Sequence, residues 1–147
     1  MTIPFNSVPL HDLGALVRRV EDAGYEGVWS AESTEFDGFT TLTISAQRSD
    51  RLQLETGIVS VYTRGPALLA QTVAALAHAS DGRFVLGLGA SSNVIVEQWN
   101  GIPFRRPLAK VEETVEYLRA VLGGERRRRR RRRSRRGCAG TTRPRPV

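Results

Sequence analysis

Apolar positions between residues 10 and 20 recur at helical spacing: Leu10, Leu13, Leu16, Val17 and Val20 share one face, and Gly24 behind them predicts a C-terminal cap. A second helix is predicted from Pro66, the residue type favoured at a first helical position, with Leu69, Val73, Leu76 and Ala77 inward and Gly82 ending it. A third follows Pro107. It places Leu108, Val111, Val115, Leu118 and Leu122 on one stripe and Glu112, Glu113 and Glu116 elsewhere, before two glycines. A weaker helix is expected from Phe39 to Ser49, with Asp37 ahead of it as a cap.

Short apolar runs of strand type separate these helices: "GVWSAE" at 27–32, "LQLETGIVSV" at 52–61, "RFVLGLGA" at 83–90 and a weak "TIPFN" near the start. The order βαβαβαβα, in units of about 30 residues, calls for a parallel sheet with right-handed crossovers. Two architectures accept it, a doubly wound sheet and a (β/α)8 barrel, and the barrel closes only with roughly 250 residues. Four units make half a barrel. In both architectures the chemistry sits at the C-terminal strand ends, here Ser30–Ser33, Gly57–Thr63 and Gly89–Asn93.

The run at 52–61 breaks its own rhythm. Leu52, Leu54 and Ile58 hold even positions, and then Val59 and Val61 hold odd ones. Since alternate side chains of a strand point to opposite faces, the change of parity predicts a bulge. A parallel strand buried on both faces and apolar throughout would read the same way.

Charge divides the chain more sharply than hydropathy does. Residues 1–125 carry all fifteen acids against ten Lys and Arg, a net of −5, whereas residues 126–147 hold twelve Arg and no acid. The high isoelectric point therefore belongs to the tail. The single cysteine, Cys138, lies there too, which excludes a disulfide framework or a Cys-based zinc site within one chain and suits a reducing compartment. The first residues lack the basic and apolar regions of a signal peptide, and no stretch approaches the ~18 apolar residues of a membrane span, so a soluble cytoplasmic protein is expected.

Among the strand ends, Glu32 has the residue type for proton transfer or for bonding a ring N–H, and equally for capping a helix or sitting in a solvated loop. In "VLGLGASS" the glycines and Ser91 and Ser92 suit an anion at backbone N–H groups, although Ser92 stands where a dinucleotide fingerprint needs glycine. Glycines packing strand against helix explain the same residues. His11 and His78 lack partners at metal-binding spacing, and no metal site is expected. Trp29, Trp99 and Tyr62 read as packing residues.

Taken together, "GYEGVWSAES", "YTRGPALLAQ", "SDGRFVLGLGASS" and the segment to "RRPL" closely resemble the luciferase-like monooxygenase superfamily, in its branch of oxidoreductases that use the deazaflavin coenzyme F420. The resemblance covers about Leu10 to Glu125. It implies the α/β fold class, a TIM-type (β/α)8 barrel of which this chain carries the first four βα units, and a non-prolyl cis peptide at Gly57–Ile58 against the coenzyme ring. By the same resemblance, Glu32 occupies the catalytic position at the ring edge, where one branch has an Asp-His pair. Gly57, Ile58, Ser60, Ala90, Ser91 and Ser92 fall at coenzyme-binding positions. FMN is the rival coenzyme, since monooxygenase relatives bind it on the same scaffold. A small-molecule substrate and a homodimer are the implied partners.

The resemblance leads to a division into a half-barrel, residues 1–125, and a tail, residues 126–147, with ten arginines between 126 and 136. Such a run without acids is expected to be disordered. A shifted reading frame in GC-rich coding DNA accounts for it, and so does a nucleic-acid-binding arm acting through salt-sensitive phosphate contacts. The first origin implies an oxidoreductase of low or no activity; the second implies a non-enzymatic binding protein.

Overall fold

The computed structural model describes residues 1–3, 8–32 and 36–124, so Glu125, the tail at 126–147, part of the first strand run and Ser33 of the strand end after β1 lie outside the described residues. The elements are α1 (Leu13–Asp22), β1 (Gly27–Ser30), α2 (Gly38–Ala46), β2 (Gln53–Thr56), β3 (Val59–Ser60), α3 (Pro66–Ala79), β4 (Phe84–Val85), β5 (Leu88–Gly89), a π-helix (Val94–Trp99) and α4 (Pro107–Leu122). The local signals act as expected. Gly24 and Gly82 adopt positive φ after their helices, Pro66 stands in the first turn of α3, and Asp37 Oδ1 accepts the Phe39 and Thr40 amides at 3.1 Å each.

All strand pairs are parallel. β1, β2 and β4 lie side by side in that order, and β3 pairs with β5 as the onward path of β2 and β4. Before β1, Thr2 forms a single bridge to Trp29, so the weak first run supplies the edge. Successive strands are thus neighbours with no reversal of order, which is barrel topology and not the switch of a doubly wound sheet. The fold is α/β, the first half of a TIM-type barrel.

One face of this sheet carries the core. Val28 and Leu54 are fully buried against Leu13, Val17, Leu42 and Leu69 of the helices. On the other face, Trp29, Glu55 and Val85 stand opposite one another across three strands, and Trp29 and Val85 are exposed.

The broken rhythm at 52–61 is a real interruption. β2 ends at Thr56, the Gly57–Ile58 peptide is cis, and β3 resumes at Val59 with Val59, Ser60 and Val61 all buried. The partner strand breaks at the same level. Across the gap the Thr56 hydroxyl supplements the ladder, donating to the Gly87 carbonyl at 3.0 Å, which also accepts the Val59 amide at 3.0 Å, and accepting the Gly87 amide at 2.8 Å. Gly87 has no alternative here, because a Cβ would stand 1.9 Å from the Thr56 carbonyl oxygen.

Two expectations need correction, and one element was not foreseen. The apolar stripe of α4 is only partly inward: Leu118 is buried with Thr114 and Ala120, while Leu108 and Leu122 are exposed. The helix packs on α3 through its middle and leaves its ends uncovered. The helix expected to reach Ser49 stops at Ala46, because the Ser49 hydroxyl accepts the Arg51 and Leu52 amides and turns the chain into β2. The π-helix had no periodic signal, since Val96 is its one buried residue.

Candidate functional site

The C-terminal strand ends converge as the fold demands. The Gly57 amide donates to the Ser30 carbonyl at 2.8 Å, and the Glu32 amide donates to the Ile58 carbonyl at 3.1 Å, so the interruption itself anchors the residue after β1. A cleft of about 200 Å³ opens at this level, lined by Glu32, Ser60, Thr63, Ser91, Trp99 and Asn100 among others. Ser60 is almost fully buried and its Oγ accepts the Tyr62 amide at 3.2 Å, leaving the hydroxyl proton free for another acceptor.

The cleft thereby joins three of the residues singled out in the sequence, Glu32, Ser60 and Ser91. Gly57, Ile58, Ala90 and Ser92 are not among its lining. Gly57 is exposed beside the Trp29 ring, where a Cβ would come within 2.8 Å of the indole. Ile58 packs toward Gly89. Ser92 accepts the Ile95 amide at 3.3 Å and so begins the π-helix, while Ser91 turns its backbone through the left-handed region at φ 64°. Trp99 departs from its reading as a packing residue: it is 55% exposed and forms part of the cleft wall. Tyr62 does pack, lying 5.2 Å from the Phe104 ring and donating to the Arg105 carbonyl at 2.6 Å.

Sequence reading missed Arg64. It lies in the turn between β3 and α3, and its Nε donates to Glu32 Oε1 at 2.8 Å while Nη2 donates to the same oxygen. Nη2 also reaches Asp37 Oδ1 at 3.3 Å, and the guanidinium carbon sits 4.9 Å over the Phe39 ring. Glu32 is therefore a half-buried, ion-paired carboxylate. Burial pushes the Asp37 carboxyl up, but the Thr40 hydrogen bonds, the Arg64 charge and the Phe39 amide outweigh it and hold the group below its ordinary value. The only signal for Arg64 was its position in "YTRGP", two residues before a helix start at a strand end.

With this geometry in view, likeness to known proteins is informative. The sequence profile of the luciferase-like monooxygenase family matches residues 3–147. The chain belongs to that family. Over 117 residues it is 35% identical to a Mycobacterium tuberculosis protein provisionally named a coenzyme F420-dependent oxidoreductase, covering 80% of this chain and 34% of that one. It is 30% identical over 121 residues to the 5,10-methylenetetrahydromethanopterin reductase of Methanolobus tindarius, covering 82% and 37%. The fold matches the coenzyme F420 dependent tetrahydromethanopterin reductase of Methanopyrus kandleri with a TM-score of 0.72 at 24% identity, covering 84% of this chain and 40% of that chain. This luciferase-like chain thus spans about a third of the length of the curated relatives it matches. Among its described residues, no helix is long and apolar enough to cross a membrane.

Proposed function

We propose that the chain carries the coenzyme-facing wall of a cytoplasmic oxidoreductase that uses coenzyme F420 and acts on a small organic molecule. One observation carries this reading: Glu32, Ser60 and Ser91, drawn from three successive strand ends, line one cleft in a family whose relatives include proteins named for that coenzyme. The coenzyme, when bound, supplies or accepts the hydride.

The donor set suits the group. The Trp99 indole offers flat apolar surface in the cleft, and the hydroxyls of Ser60 and Ser91 offer hydrogen bonds. Two carboxylates against one guanidinium leave this end of the cleft net negative, which favours N–H donors of a heterocycle over phosphate. Glu32 accordingly faces the ring edge, and Ser91, Ser92 and Ala90 hold the linker and phosphate, with Gly57 and Ile58 as the shelf. Ligand pockets usually enclose about 300–1,000 Å³, so a cleft of about 200 Å³ supplies one wall of a site. For this span alone we expect weak binding and little turnover.

The test is a titration of the full chain with coenzyme F420, and separately with FMN, followed by coenzyme fluorescence. A saturable response to F420 that exceeds the response to FMN supports the reading. Preference for FMN transfers the site to flavin chemistry. Labelled DNA bound in a strongly salt-dependent way, and released on deleting residues 126–136, together with silence toward both coenzymes, replaces it with nucleic-acid binding.

A further inference from the structure

We infer that Arg64 is a positioning residue of the cleft, acting through Glu32 and not on a ligand directly. The inference rests on the coenzyme reading above and adds a residue to it. Its starting point is how the donors of Arg64 are spent. Nε and Nη2 both end on Glu32 Oε1, Nη2 is shared with Asp37 Oδ1, and the face of the guanidinium lies over Phe39. Only about a fifth of the Arg64 side chain is exposed, and less of Glu32. Nη1 has no partner among the described residues, but a cation whose charge is shared between two carboxylates has none to spare for an incoming phosphate.

Its effect on Glu32 is specific. Among the described residues no hydrogen bond reaches Oε2, while the Glu32 amide is fixed on the Ile58 carbonyl. Backbone and one carboxylate oxygen are thus tied to the β3–α3 segment, and the other oxygen, bonded to no described residue, belongs to a side chain that lines the cleft. The class of ligand group it takes is an N–H donor. A lysine cannot substitute, because a single ammonium does not present the Nε and Nη2 pair to one oxygen while reaching a second carboxylate.

The experiment is a binding cycle on the full chain, with coenzyme F420 as probe and FMN alongside. Wild type, R64M, R64K, E32Q and the double variant E32Q/R64M are compared, and far-UV circular dichroism establishes that each is folded. R64M is expected to weaken F420 binding about tenfold, R64K is expected not to restore it, and R64M in the E32Q background is expected to cost nothing more. Equal affinity of R64M and wild type overturns the inference, as does a double variant in which the two losses multiply. If R64M does not fold, R64K carries the same comparison in both backgrounds. Wild-type protein that binds neither coenzyme overturns the coenzyme reading itself, and this role of Arg64 with it; that failure is distinct because it is seen before any variant is compared.

Discussion

At the scale of single residues, the sharpest contrast is between two glycines thirty positions apart. A methyl at Gly87 meets the Thr56 carbonyl oxygen at 1.9 Å, backbone that cannot yield, whereas one at Gly57 meets the edge of an exposed indole at 2.8 Å. Overpacking commonly costs about 1–3 kcal/mol. Gly87→Ala is expected to reach or pass the upper end of that range in urea unfolding, and Gly57→Ala to stay near about 1 kcal/mol because Trp29 can swing away. Asp37 gives a second test. Asp37→Ala removes the cap and should cost about 1 kcal/mol at neutral pH. Since the folded carboxyl is held below its ordinary value, its charge contributes stability above the unfolded value of 3.8 and loses it as pH falls through the folded one. The gap between wild type and Asp37→Ala in unfolding midpoint should therefore narrow as the medium is acidified below about pH 4.

Elements behave according to what covers them. Leu108 and Leu118 occupy the same predicted stripe of α4, yet one is 72% exposed and the other 4%. Leu118→Ala should cost about 2–5 kcal/mol and Leu108→Ala less than about 0.5 kcal/mol, as measured by chemical denaturation. The stripe was legible because its residues recur at helical spacing. Which part of it is buried was not, because that depends on the length over which α3 runs beside α4. The interruption between β2 and β3 was legible only as one of two readings, since a change of parity in consecutive residues fits a bulge and also a strand apolar on both faces. That Thr56 bridges it to Gly87 required knowing which strand lies opposite and in what register.

For the whole molecule, Trp29 and Val85, on either side of Glu55, leave apolar surface on the sheet face away from the core. Surface of this kind favours association. The chain is expected to show concentration-dependent self-association in sedimentation velocity, reduced by Val85→Lys, and a concentration-independent monomer would contradict the homodimer that the resemblance implies. The half-barrel order was present in the pattern of strands and helices, and sequential parallel pairing removed the doubly wound alternative.

What the amino-acid sequence determined by itself was local or repetitive: the order of elements, the caps at Asp37 and Gly24, and Pro66 at a helix start, while the change of parity before Val59 left a bulge and an evenly buried strand both open. Each depends on neighbours within a turn or a few residues, where backbone geometry and burial act directly. Tertiary structure alone decided that Arg64 meets Glu32, thirty-two positions away, that Trp99 joins the cleft wall, and that Ser92 begins a helix. Those pairings follow from register and from how far each loop reaches, and neither is encoded in the spacing of apolar residues along one segment.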